Sequence, residues 1–139
     1  MRKTDPSVGI EYPPREHETY IHEAPDGTLR AYDVTVANQR VQDGREMLLF
    51  SLIDHEVTLE KIHELYEGLD EEYALTTDLT KPLLFLPLGE ETLLVDGWHR
   101  LAKAAILGIP ELPIYLLSQA DADAIQWLEL PPGHGLLWK

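Results

Sequence analysis

No cysteine occurs among the 139 residues. That excludes disulfides, thiolate zinc sites and cysteine nucleophiles, and it fits a cytoplasmic protein. Basic residues are scarce: 11 Lys and Arg stand against 25 Asp and Glu, a formal net charge of -14. Phosphate backbones are neutralised by Lys/Arg-rich surfaces, so broad nucleic-acid binding is not expected. A local basic pocket for one nucleotide or phosphate remains compatible with this charge, as do a basic protein partner and plain solubility. No apolar run approaches the roughly 20 residues of a membrane helix, so no membrane span is expected. The opening MRKTDPSVGIEYPP has basic residues without an apolar core behind them, which predicts no secretory leader there.

What is present is a hydrophobic fraction of 44%, enough for an ordinary core in one domain. The segment to about Pro14 reads as an arm or edge strand. Asp26-Gly27 and Asp43-Gly44 each sit between alternating, β-prone residues, and this pattern predicts two hairpins. The N-terminal third is thus expected to be an antiparallel meander ending in MLLFSLI, an apolar run suited to a buried strand. Leu59, Ile62, Leu65, Tyr66 and Leu69 recur at helical spacing behind Thr58, a capping residue. DEEYALTTDLTK reads as a polar connection, and PLLFLPL and TLLVD as two strands around GEE. A helix follows from Gly97 to Leu107, stopped at Gly108, then a strand in ELPIYLL. Ser118 caps a last helix over QADADAIQWLEL, with Asp121 three residues on to suit its dipole. The expected class is α+β in a single domain: extension 1–45, core 46–130 and tail 131–139.

The chemistry concentrates where TLLVD meets GWHRLAKAAILG. Gly97 permits a sharp turn, and the free N–H groups of the following helix attract anions. His99 and Arg100 in that first turn add two donors suited to phosphate. A cation at a helix N-terminus is otherwise disfavoured, so some negative partner is required. Asp96 is adjacent; it can pair with Arg100, cap the helix, hold a divalent metal or orient His99. Trp98 suits either the core or a stacked nucleobase.

From Asp96, Gly97, His99, Arg100, Ala104, Ala105, Leu107, Gly108 and Pro113, the chain resembles the ParB/sulfiredoxin superfamily, a group of nuclease and nucleotide-binding domains. Its members share a D-G-x-H-R-type turn between a strand and an Ala-rich helix. The resemblance extends more loosely upstream to MLLFSLIDHEVTLEKIHELYEG and KPLLFLPLG, and leaves out residues 1–45. It implies a ParB/sulfiredoxin-like core with an added N-terminal meander, and phosphates of ATP, ADP or CTP bound with Mg2+ at the turn of Gly97, Trp98, His99 and Arg100. Sulfiredoxins carry their catalytic cysteine where Trp98 stands, so sulfinic-acid repair is excluded. The nearest local likeness is to free-serine kinases, whose turn reads D-G-H-H-R; Trp98 replaces the first His. Those kinases use an upstream carboxylate as base, for which Asp54 and Glu56 both offer themselves.

Two functions follow as expectations. One is a phosphotransferase or nucleotide hydrolase in which Asp96 holds the metal and His99, Asp54 or Glu56 activates the acceptor. The other is a non-catalytic acidic module that kept the fold and binds a basic protein or a second copy of itself. The six histidines form no dense metal pattern. Trp127 is expected on the last helix, and Trp138 in a tail that packs on the domain or meets a partner.

Overall fold

A computed structural model describes residues 12–132. The expected arm before Tyr12 and the tail with Trp138 lie outside them. The elements in chain order are β1 (Thr19–Glu23), β2 (Leu29–Asp33), α1 (Val34–Arg40), β3 (Leu48–Ser51), α2 (Leu59–Leu65) and α3 (Glu71–Ala74). Then come β4 (Leu83–Leu88), β5 (Glu91–Asp96), α4 (Trp98–Leu107), β6 (Glu111–Leu116), α5 (Gln119–Ile125) and β7 (Gln126–Leu130). The class is α+β. The chain divides into two compact units, one holding the residues up to Asp43 and from Leu117 on, the other Gly44–Leu116.

The first unit is built on a three-stranded antiparallel sheet in the order β1-β2-β7. Its first hairpin forms where Asp26-Gly27 predicts it: Gly27 takes φ 93°, and Asp26 Oδ1 accepts the Thr28 N–H at 2.9 Å. Hydrogen bonds from Thr28 hold the Asp26 carboxyl below its usual range. The second expected hairpin is absent, because the chain coils into α1 instead. Asp33 caps that helix by accepting the Val36 N–H at 3.0 Å. Val34, Ala37 and Val41 are the buried positions, a helical spacing that the alternation of Val34 and Val36 masks.

The last helix is also shorter than its pattern suggests. At Gln126 the backbone turns extended, and Trp127 lies on strand β7, not on a helix. Pairing with β2 gives this segment a ladder on which Trp127, Leu128 and Leu130 pack with Ala31. The start of α5 follows expectation: Ser118 and Asp121 form a capping box. Asp121, 2% exposed, also accepts from Arg40 Nε at 2.7 Å, which ties α5 to α1.

The second unit carries the sheet β3-β6-β4-β5, in which β4 and β6 are parallel and the other neighbours antiparallel. Its core joins Leu83 and Phe85 of β4, Leu94 of β5, and Leu112 and Ile114 of β6 to Ile62, Ala74 and Leu101, Ala102 and Ala104 of α4. Thr58 caps α2 as expected. The polar connection contains a helical turn, α3, that Asp70 caps at the Tyr73 N–H. MLLFSLI is an edge strand, not a buried one. Leu48 and Phe50 pack against the core, while Leu49 is 67% exposed.

Among the described residues, two buried groups in the first unit have no hydrogen-bond partner, Trp127 Nε1 and the Tyr32 hydroxyl, and burial pushes the Tyr32 pKa above the tyrosine norm. An unpaired buried hydroxyl costs about 1–3 kcal/mol. Tyr32→Phe is therefore expected to leave stability unchanged or raise it by about 1 kcal/mol in urea unfolding. A loss of more than about 1 kcal/mol would mean that the hydroxyl has a partner.

Candidate functional site

The strand-to-helix corner lies in the second unit. β5 ends at Asp96, and the chain reverses at Gly97 with φ 114°, a conformation that L side chains rarely adopt. Space forbids a side chain as well, since a Cβ there would come within 2.7 Å of Leu83 Cγ. Glycine thus lets the corner sit directly on β4. It also leaves α4 without a side-chain cap, whereas Asp33, Thr58, Asp70 and Ser118 cap the other four helices.

The cation at the wrong end of the helix has internal partners. Arg100 Nη2 lies 3.1 Å from Asp96 Oδ2, and Nη1 donates to the carbonyls of Lys81 at 2.8 Å and Pro82 at 2.7 Å. One turn further on, Lys103 Nζ donates to the Thr77 carbonyl at 2.6 Å. These two side chains staple the segment 77–82 to α4. Inside that segment, hydrogen bonds from Thr80 hold the Asp78 carboxyl below its usual range. In the sequence Lys103 is simply the one polar residue in LAKAAIL, and nothing there points to its partner in the segment 77–82.

Trp98 is packed as core. Its Nε1 donates to the Leu94 carbonyl at 3.0 Å, and its ring stacks on Tyr66 with centroids 5.3 Å apart and 7° between planes. His99 stands edge-on to Tyr66 and Tyr73. The Asp70 N–H donates to His99 Nε2 at 3.1 Å. An amide can only donate, so Nε2 accepts and the ring proton of the neutral imidazole sits on Nδ1. The first turn of α4 thus combines amides without a side-chain cap and the His99 imidazole.

Asp54 and Glu56 are placed apart from this cluster. Both are exposed in the turn after β3, with Glu56 at a left-handed φ of 52°. β3 and β5 are opposite edges of the sheet and leave it at the same end. Three strand spacings of about 4.8 Å put their axes roughly 14 Å apart. His55, between the two carboxylates, turns back to the Ser51 carbonyl at 2.8 Å and stacks on Phe50. Among the described residues no three metal-ligating side chains converge. In the first unit, a cleft of about 400 Å³ is lined by Thr28, Glu129, Pro131 and Pro132.

Among the described residues, no helix is long and apolar enough to cross a membrane. Compared with known protein families, curated proteins and solved structures, the chain matches none of them.

Two substitutions test the construction of the corner. Gly97→Ala adds a positive-φ penalty to a clash with Leu83, and is expected to lower unfolding free energy by about 2–4 kcal/mol. Arg100→Ala removes the ion pair to Asp96 and the donors to two carbonyls and is expected to cost about 3 kcal/mol, with Arg100→Lys intermediate because an ammonium cannot span all three acceptors. Urea unfolding of the three variants reads both effects. Losses under about 0.5 kcal/mol would show that the corner carries no such constraint.

Proposed function

We propose that the Gly44–Leu116 unit binds a phosphate-bearing small molecule, most simply a nucleotide such as ATP, ADP or CTP, at the N-terminus of α4. The observation that carries this reading is the glycine start of α4, which leaves its first-turn amides without a side-chain acceptor in the turn that also holds His99. The D-G-x-H-R likeness to the ParB/sulfiredoxin superfamily supports it. In this reading the amides and His99 hold the anion. Arg100 shapes the turn, because Asp96 already answers its charge. Asp96 could take Mg2+ only by sharing its carboxylate with Arg100, so a phosphate suits the residues better than a separate metal centre. Asp54 and Glu56 follow the edge strand opposite the one that leads into the corner, a placement that favours binding over phosphoryl transfer or hydrolysis. A cytoplasmic setting goes with a nucleotide ligand and with the cysteine-free sequence. A second reading, a non-catalytic module for a basic protein partner, is favoured by the net charge of -14.

Isothermal titration of the full chain with ATP, ADP, CTP and inorganic phosphate, each with and without Mg2+, tests the anion site. At least one ligand is expected to bind with Kd at or below about 1 mM. His99→Gln, whose amide oxygen can still accept the Asp70 N–H, is expected to weaken it by about fivefold or more, in line with one lost charge-assisted hydrogen bond. No heat from any of the four at millimolar concentration, or unchanged binding in His99→Gln, overturns the reading.

A further inference from the structure

We propose that the free edge of β3 docks an extended, basic segment of a protein partner by strand addition. This surface is separate from the α4 corner, and the inference stands whether or not an anion binds there.

The backbone register defines the edge. The Leu52 N–H donates to the Pro110 carbonyl at 2.8 Å, on the same register that pairs Phe50 with Leu112 and Leu48 with Ile114. Hydrogen-bonded and non-hydrogen-bonded pairs alternate in an antiparallel ladder, so these even-numbered residues of β3 are the ones bonded to β6. Leu49 faces Pro113, which has no N–H to give, in a pair of the other kind. The N–H and C=O groups of Met47 and Leu49 therefore point outward, along the edge where no further strand follows among the described residues. Ser51, next in this series, has its carbonyl taken by His55 Nδ1, which marks the end of the open stretch.

The side chains at this edge are apolar and uncovered. Met47, Leu49 and Ile53 are each more than half exposed. Natural sheets protect such an edge with Lys, Pro or a bulge on the strand itself, and β3 has none of these. Charge then selects the occupant. Glu46 precedes the strand, Asp54 and Glu56 follow it, and Glu111 faces Ser51; all four are exposed, and none forms an ion pair among the described residues. Arg45 is turned to the Leu116 carbonyl at 2.9 Å. A second copy of this acidic chain would set carboxylates against carboxylates, whereas a strand that alternates apolar residues with Lys or Arg satisfies backbone, apolar and charged groups together.

The test uses the full chain and a short fluorescent peptide of alternating Val and Lys. Controls are a Val/Glu peptide and a Val/Lys peptide N-methylated at alternate residues, which keeps the charge and blocks strand pairing. Fluorescence anisotropy is expected to show binding that N-methylation weakens about tenfold or more and that salt weakens. Amide exchange at Met47 and Leu49 should slow about tenfold in the complex. Leu49→Lys, at an exposed position, should weaken binding about tenfold with an unchanged circular dichroism spectrum. Three results overturn the proposal: affinity indifferent to N-methylation, no protection at Met47 and Leu49, or concentration-dependent protection of those amides without peptide, which would make the occupant a second copy.

Discussion

The second unit depends on one guanidinium. Arg100 stands in the first turn of a helix, where the helix dipole opposes a cation. Asp96 on the strand before it and the carbonyls of Lys81 and Pro82 offset that penalty. All three acceptors lie in segments that must meet for the fold to close: the end of β5, and the two residues that lead into β4. A single side chain thus fixes the pitch of α4 relative to β5 and anchors the entry to the neighbouring strand. Gly97 is the steric complement of this arrangement. Without a Cβ it lets α4 begin directly against Leu83, and Arg100 folds back across the space that a side chain would have occupied.

That arrangement changes what the corner can do with an anion. A free arginine would bring a full positive charge to a phosphate, but Arg100 is paired. What remains is the partial charge of unsatisfied amides at the helix start and a neutral imidazole whose proton is directed to Nδ1 by the Asp70 amide. Such a site offers directed donors without net charge. In the proposed reading it would suit a phosphate that arrives with its own counter-ion better than one drawn in by long-range attraction, which a chain of net charge -14 would repel.

The parts of the fold readable in advance were those whose signals are local. Thr58 and Ser118 announce helix starts, Asp26-Gly27 a hairpin, and Gly97 a turn, because a side-chain acceptor or a missing Cβ acts on its immediate neighbours. The failures share one cause. Val34 and Val36 alternate as in a strand, yet Asp33 supplies a cap and tertiary burial of Val34, Ala37 and Val41 selects the helix. Trp127 continues a helical pattern, yet the vacant edge of β2 draws it into a sheet. In both places a partner distant in sequence decided the outcome. The candidate site was legible to the same degree: the turn residues were found together, but the loop that Arg100 and Lys103 hold, and the amide that His99 accepts, come from segments with no pattern of their own.

The position of MLLFSLI carries a further lesson about sheet edges. A continuous apolar run reads as a strand covered on both faces. Here the sheet order places it at the margin, and the run divides by alternation: Leu48 and Phe50 serve the core, Leu49 and Ile53 do not. Nothing in the folding of this unit requires Leu49 to be apolar, since a polar side chain at that exposed position would leave the core contacts of β3 intact. Folding asks for one apolar face on this strand, and the chain supplies two, with carboxylates at both ends of the second. An apolar edge framed by unpaired negative charge is costly in solution and complementary to a basic strand, and that complementarity gives the extra apolar residues a physical reason that core packing does not.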